Sequence, residues 1–558
     1  MTLTSRLSSL TTHKTHYRQT VLSVLVSAVT LWGCTTPAAE EFTFEQHEIV
    51  LGSEQHQTVL TGFFLGGDTA NIATVTVDEN DDRRFRIYAF ENGAWTSIFD
   101  AALGPNVLFV DVANISGHDR LITYEHGRLN WFDPDSATDR PLVEITTNYN
   151  AAPEGMGYAG TGTVGPADEG EIPYIDITRD VNRDGRDDVV LPDVDGFLIS
   201  IQLNDGSFTD PIKLGPPEPF RDAIAFGDTR KYGEVGISAL TVPWYLSRVH
   251  EMDYDQDGRS DLVFWNEDHF DVYYQDARGL FSPVADPFST DVPFDADGTY
   301  STMFGFSGQS AFALTLGFKK KTERTVLCAA RDLDGDGVTD LLTHTLRGRS
   351  VLRQRSRYEA HFGTPTPEGI FFARDAGTAI QPKGKAGALM EMGGYSSVWL
   401  EDFDGNGQID ILRGDIRMGA RAIARALLGS SITMGAELYR MEDGVYPDKA
   451  STKRKITADI DITGGRDAGF FPFVLMGDVT GDGRSDFLVG KNREELHVFL
   501  GESGPELFTR GPQKVPVTLP GDERNTWLTH LNQDGKQDIL MHFPSTTGPH
   551  RVTMLIAR

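Results

Sequence analysis

Six short stretches of this chain carry oxygen-bearing side chains at one fixed spacing. The first is Asp180-Val181-Asn182-Arg183-Asp184-Gly185-Arg186-Asp187-Asp188. The pattern returns as Asp253, Asp255, Asp257, Gly258 and Asp261, and again as Asp332, Asp334, Asp336, Gly337 and Asp340. It returns twice more, as Asp402, Asp404, Asn406, Gly407 and Asp410, and as Asp478, Thr480, Asp482, Gly483 and Asp486. A sixth stretch has lost the first acid and reads His530, Asn532, Asp534, Gly535 and Asp538. Oxygen ligands at positions 1, 3, 5 and 9 suit a hard cation, since calcium takes six to eight oxygens at about 2.3–2.6 Å. Glycine at position 6 permits the positive φ of a sharp turn. The carbonyl at position 7 and the acid at position 9 can complete the shell. Without a cation, clustered carboxylates repel and raise one another's pKa. The expectation is about five to six Ca2+ ions. Each acts as a structural staple rather than a catalyst, because no base or nucleophile recurs beside an open coordination position.

The loops must be held by strands. The EF-hand acid at position 12 is missing, and no amphipathic helix comes after it. The residues behind each loop are apolar instead, as in Val189-Val190-Leu191, Leu262-Val263-Phe264 and Phe487-Leu488-Val489, and such runs read as strand. After the loop at 253 come candidate strands Asp261–Trp265, Phe270–Tyr274 and Leu280–Val284, and another apolar stretch precedes each loop. This makes four strands per unit, with the loop joining the first to the second, and such units repeated radially are propeller blades. Two worn copies lie upstream, one starting at Asp68 and one running from Asp111 to Asp119. The fold class expected is all-β, a β-propeller of eight four-stranded blades, with seven as the alternative. The last motif leaves room for two more strands, so Phe42–Leu51 is expected to supply the missing one and close the ring, hiding sheet edges.

The DxDxDGxxD core of these repeats resembles the FG-GAP/VCBS family, the calcium-loop repeats of integrin α-subunit propellers and many secreted bacterial proteins. The resemblance covers most of residues 43–558. It implies a propeller with calcium in the loops at the residues quoted, and, by analogy of fold, adhesion or ligand capture.

Other chemistry is thin. Gly160-Thr161-Gly162-Thr163-Val164-Gly165 lacks the strand–helix setting of a dinucleotide loop, and Ala151–Gly170 reads as a flexible loop. Gly305-Phe306-Ser307-Gly308 is not a nucleophile elbow. His47-Glu48 and His250-Glu251 lack the second histidine of a zinc helix. Against the acidic background, Arg353, Arg355 and Arg357 alternate along one strand face. Arg417, Arg421 and Arg425 have helical spacing, the first just before and the other two within the expected helix Met418–Leu428. These six are candidate anion-binding residues for a uronate or sulfated glycan, unless they pair with neighbouring acids. Trp95, Trp131, Trp244, Trp265, Trp399 and Trp527 are spread over the units and read as packing rather than sugar platforms.

The chain has 558 residues and a formal net charge of -30, from Lys+Arg 51 against Asp+Glu 81. That charge argues against nucleic acid as a partner, which calls for a basic face. Two cysteines make no disulfide scaffold. Residues 1–33 read as a signal peptide, with Arg6, Lys14 and Arg18 and then the apolar run Val21–Trp32. Leu31-Trp32-Gly33-Cys34 resembles the lipobox of bacterial lipoproteins, which implies a lipoprotein-type signal. Cys34 is the expected lipidation site, with 34–42 a short linker and 43–558 one propeller domain. The expected place is a bacterial cell envelope, lipid-anchored at the outer membrane, with secretion as the alternative. The leading functional expectation is a non-catalytic propeller that binds a glycan or protein ligand. The rivals are a calcium-containing polysaccharide lyase or hydrolase, resembling some eight-bladed lyases, and a passive scaffold of an outer-membrane complex. A lyase would place a histidine or lysine beside an arginine in an open cleft, with His118, His269, His344 and His530 as first candidates.

Overall fold

The apolar runs behind the loops do not alternate with polar residues. A sheet wet on one face alternates, whereas a strand buried on both faces reads as continuous hydrophobic sequence. Val189, Val190, Leu191, Leu262, Val263, Phe264, Leu341 and Leu342 are all at most 1% exposed. Both faces of these strands are packed because sheets stand on either side of them.

The computed structural model describes residues 42–54, 56–147, 172–193, 196–215, 249–294, 296–297, 322–348, 355–382, 398–416, 430–461, 469–470, 472–504, 506–521, 525–545 and 547–558. The expected signal peptide, Cys34 and the linker up to residue 41 lie outside them, as do residues 151–170, the helix expected at Met418–Leu428, and Trp244. The compact unit runs from Phe44 to Arg558. No α-helix occurs among the described residues, and none there is long and apolar enough to cross a membrane.

The unit is an all-β propeller of eight blades. Blade 1 holds His56–Gly62, Asn71–Val77, Arg83–Glu91 and Ala94–Ala102. Blade 2 holds Phe109–Ile115, His118–Glu125, Arg128–Asp133 and Thr138–Glu144. Blade 3 holds Thr178–Arg179, Asp188–Asp193, Gly196–Ser200 and Ile212–Leu214. Blade 4 holds His250–Met252, Asp261–Asn266, His269–Tyr273 and Asp286–Phe288. Blade 5 holds Thr322–Arg331, Asp340–Gly348, Arg355–His361 and Thr378–Ile380, with Ala296–Asp297 added in parallel beside the first strand. Blade 5 also carries a separate hairpin, Gly363–Thr366 with Gly369–Phe372. Blade 6 holds Val398–Glu401, Asp410–Ile416, Ser431–Tyr439 and Thr452–Asp459. Blade 7 holds Val474–Gly477, Asp486–Asn492, Glu495–Phe499 and Gln513–Pro516. Blade 8 holds Thr526–Thr529, Asp538–Phe543 and Arg551–Ala557, and its fourth strand is Phe44–Val50 from the other end of the chain. The count settles on eight rather than seven.

One expected strand is displaced. Leu280–Val284 does not form the fourth strand of blade 4, which is Asp286–Phe288. The Asp276 carboxylate accepts the amides of Arg278 and Leu280 and holds a turn there. Ser282 N still donates to Tyr274 O at 2.9 Å. The backbone of Val284 then turns to the Ser282 hydroxyl, which accepts Val284 N at 3.1 Å and donates to Val284 O at 2.8 Å, and pairing resumes against Phe270–Val272.

The core lies between blades. Ile122, Leu129, Val190, Ile199, Leu262 and Phe264 come from blades 2, 3 and 4 and share one cluster. At the closing seam Ile49, Val552 and Met554 of blade 8 pack with Ile72 and Tyr88 of blade 1. The closing strand pairs antiparallel in full register, from Phe44 opposite Ala557 to Val50 opposite Arg551. Replacing buried Ile49 with Ala should therefore cost about 2–4 kcal/mol, read as a lower urea midpoint.

Blade 8 also buries a histidine pair. His542 Nε2 lies 3.2 Å from His550 Nδ1. Burial first, and the neighbouring ring second, push His542 down to about 3 from the usual 6.5. A depressed histidine favours folding fully above pH 6.5 and loses that contribution as pH falls toward 3. The difference in unfolding free energy between the protein and a His542→Gln variant should change across that window and stay flat above it, measured by urea melts at stepped pH.

Candidate functional site

The loops form because glycine and aspartate together bend the chain and satisfy its amides. Position 6 takes positive φ throughout: Gly185, Gly258, Gly337, Gly407, Gly483 and Gly535 lie between +80° and +87°. In the five full copies the first aspartate accepts the amide of that glycine, from 2.7 Å at Asp402 and Asp478 to 2.9 Å at Asp253 and Asp332. The side chain at position 5 accepts the amide of position 7 in all six, as Asp336 does from Val338 at 2.8 Å.

Position 9 does the most. Asp188, Asp261, Asp340, Asp410, Asp486 and Asp538 are at most 1% exposed. One oxygen of each accepts the amide of position 2, at 2.8–3.3 Å. The other accepts an amide from the far end of the third strand or just beyond: Gln202, Gln275, Gly363, Met441, Gly501 and Ala557, at 2.8–2.9 Å. Burial, with neighbouring carboxylates adding, pushes Asp188, Asp340 and Asp410 up to about 7 and Asp261 and Asp486 up to about 6. Position 2, silent in the spacing of the acids, is apolar and buried in every copy: Val181, Tyr254, Leu333, Phe403, Val479 and Leu531.

Successive loops touch along one rim. Ile409 N donates to Leu333 O at 2.7 Å, Gln537 N to Asp478 O at 2.8 Å, and Ala70 N to Leu531 O at 2.8 Å. Gln275 Nε2 reaches Asn182 O at 2.9 Å, and Gln408 Nε2 reaches Asp334 O at 3.0 Å. These bonds also correct the two upstream copies. The blade 1 loop is residues 63–71 and closes on Asn71, whose Oδ1 accepts Leu65 N at 3.2 Å. Asp68 falls inside it rather than starting it. Asp111–Asp119 is no loop. Phe109–Ile115 and His118–Glu125 meet in a two-residue turn with Ser116 at φ +54° and Gly117 at +82°, the geometry favoured in tight hairpins.

Three sets of carboxylates converge: Asp253, Asp255 and Asp257; Asp332, Asp334 and Asp340; and Asp402, Asp404 and Asp410. Within each set one oxygen per residue lies within 4.8 Å of the others. Oxygens that share one calcium at about 2.4 Å can stand no further apart than about 5 Å, so the donor sets fit a hard cation by type and by spacing. Asp180, Asn182, Asp184, Asp478, Thr480, Asp482, Asn532 and Asp534 occupy the matching places in their loops, where a neutral side chain stands at position 3.

Of the six candidate basic residues, Arg355 and Arg357 are described. Arg353, Arg417, Arg421 and Arg425 lie outside the described residues. Arg355 and Arg357 share the exposed face of Arg355–His361, and Arg357 pairs with Glu359 at 2.8 Å. Arg413, in the next blade, is 3% exposed and bonds Glu437 at 3.2 Å. His118 is exposed beside the Ser116–Gly117 turn, His530 Nδ1 meets Lys536 O at 3.0 Å, and His269 pairs with Asp268 at 2.9 Å. His344 does stand near Arg413, which helps push it down to about 3 after burial. It is stacked on Tyr358 at 4.1 Å and 2% exposed, so it faces core rather than a cleft. The tryptophans pack: Trp265 against Phe270 and Phe294, and Trp131 under Arg120 and Arg140.

No protein-family model matches the chain, and no curated protein matches it either. Among solved structures it is similar to the Tc holotoxin pore of Photorhabdus luminescens, with 13% identity and TM-score 0.28, covering 89% of this chain and 18% of that one. It spans under a fifth of that protein's length. Dihydro-heme d1 dehydrogenase NirN gives 10% identity and TM-score 0.33, covering 84% and 73%. The V. cholerae biofilm matrix protein Bap1 gives 9% and 0.26, covering 91% and 88%. At these scores the likenesses carry no argument about activity.

The blade 8 loop separates the two roles of position 9, because it lacks the first acid. Asp538→Ala orphans the buried amides of Leu531 and Ala557. Each bond to a charged acceptor contributes about 1.5–3 kcal/mol. A loss of about 3 kcal/mol or more should appear in urea melts, equally in EDTA and in calcium.

Proposed function

We propose that this protein is a calcium-stabilised propeller of a bacterial cell envelope that binds a glycan or protein ligand without catalysis. Its repeats are of FG-GAP/VCBS type, and it is lipid-anchored through Cys34. The observation that carries the reading is the convergence of Asp332, Asp334 and Asp340 within 4.8 Å, repeated in kind around one rim. Calcium bound there would supply the positive charge that several buried carboxylates lack. Asp332, Asp334, Asp336 and Asp340 would hold it in blade 5, and the corresponding residues in the other full loops. The enclosure of His344 and Arg413 favours binding over cleavage. The envelope and the anchor rest on the basic and then apolar run that ends at Gly33-Cys34.

A cation that binds only the native state adds about 2.7 kcal/mol at a hundred times its dissociation constant. Excess EDTA should lower the melting temperature, calcium should restore it, and Asp336→Ala should do part of the same damage. An unchanged melt in EDTA overturns the calcium reading. A glycan array probed in calcium, scored for both retention and product release, tests binding against cleavage.

A further inference from the structure

The five full loops share a backbone but not a charge pattern. Position 7 is arginine in three of them: Arg186, Arg259 and Arg484. Each of these is held at both ends. Its Nε donates to the carbonyl of Gln202, Gln275 or Gly501, at 3.3, 2.9 and 3.4 Å. These are the residues whose amides the position 9 aspartates hold. Its terminal nitrogen pairs with Oδ2 of the position 5 aspartate: Asp184, Asp257 or Asp482. The Oδ1 of that carboxylate already accepts the amide of position 7. The position 5 side chain is thus neutralised from within the loop. In blade 6 position 7 is Gln408, but Arg440 arrives from beyond the third strand and pairs with Asp404 at position 3.

The blade 5 loop stands apart. It has four carboxylates, Asp332, Asp334, Asp336 and Asp340, and Val338 at position 7. Among the described residues no lysine or arginine pairs with any of them. Asp336 Oδ1 accepts Val338 N at 2.8 Å, and among the described residues no guanidinium meets its second oxygen.

Resting on the calcium reading, we infer that Arg186, Arg259, Arg484 and Arg440 are tethered counter-ions that compete with the divalent ion. The loops then fill in graded order, and the loop at Asp332–Asp340 binds first and tightest. The physical cause is double. A guanidinium on the carboxylate occupies a ligand oxygen, and it repels a doubly charged ion at short range. The same loops hold their turn without metal, because the arginine already supplies the positive charge. Among the described residues blade 5 has no such substitute. Its Asp340 holds the amide of Gly363 at 2.8 Å, the first residue of the added hairpin, so the most calcium-responsive loop is also the one that seats this extra element.

The test is calorimetric titration of the full chain, carrying Cys34→Ser, with calcium chloride alone. The expected isotherm has one tight step followed by weaker ones. Asp336→Asn should abolish the tight step. Arg259→Gln should add a second step strengthened about tenfold, equal to about 1.4 kcal/mol. Val338→Arg should weaken the first step by a similar factor, and far-ultraviolet circular dichroism confirms that each variant is folded. Calcium binding with steps that none of these changes moves overturns the grading while leaving the calcium reading intact. No calcium uptake by the unsubstituted chain overturns both. Should Arg259→Gln fail to fold, Val338→Arg carries the test alone.

Discussion

A buried carboxylate that accepts one amide from its own loop and another from a neighbouring strand is the interaction on which this architecture turns. It occurs at Asp188, Asp261, Asp340, Asp410, Asp486 and Asp538, always where the second strand of a blade begins. A carboxylate this deep is costly unless its oxygens are bonded. Two backbone amides meet that need and in return fix the first, second and third strands relative to one another. The position 2 side chain, turned into the core by the same loop, ties the local turn to the packing between blades.

That anchoring explains why the loops lie in register around one rim. In two successive pairs the amide of position 8 reaches the carbonyl of position 1 or 2 in the loop before it, from Ile409 to Leu333 and from Gln537 to Asp478. The blade 1 loop keeps the same bond, from Ala70 to Leu531, although it has lost almost all of its acids. The backbone geometry therefore outlasts the carboxylates. This separates a part of the motif that folds the blade from a part that is suited to a cation. Aspartate at positions 3 and 5 belongs mainly to the second part, and it is there that the loops diverge in charge.

Much of this was legible in the chain itself. Glycine at position 6 announced a positive φ, and all six glycines adopt one. The unbroken apolar runs announced strands buried on both faces, and the short count of strands after residue 530 announced closure by the N-terminal strand. The upstream copies take a different frame from the one that Asp68 and Asp111 suggest, because those acids merely stand in the right neighbourhood. The feature that aligns their blades with the others is instead a hydrogen-bond pattern, carried by Asn71 in one case and absent in the tight hairpin of the other. The strand expected at Leu280–Val284 failed for a smaller reason, a serine hydroxyl that takes up both backbone groups of Val284. The arginine at position 7 was visible in the sequence, but its meaning lies in its two anchors, which only the folded blade brings to it.

The order of residues alone determined the repeat and the turn chemistry, because these depend on spacing along the chain and on side-chain type, and it narrowed the blades to eight or seven; the sheets decided for eight. Only the tertiary structure decided which loop carboxylates are answered by a guanidinium. It likewise decided that Arg413 and His344 are core residues rather than surface ones. The second outcome depends on what strands distant in sequence bring alongside, since no local pattern records the distance between side chains on different blades. The first depends on how the folded blade orients an arginine two residues along the loop or just past the third strand.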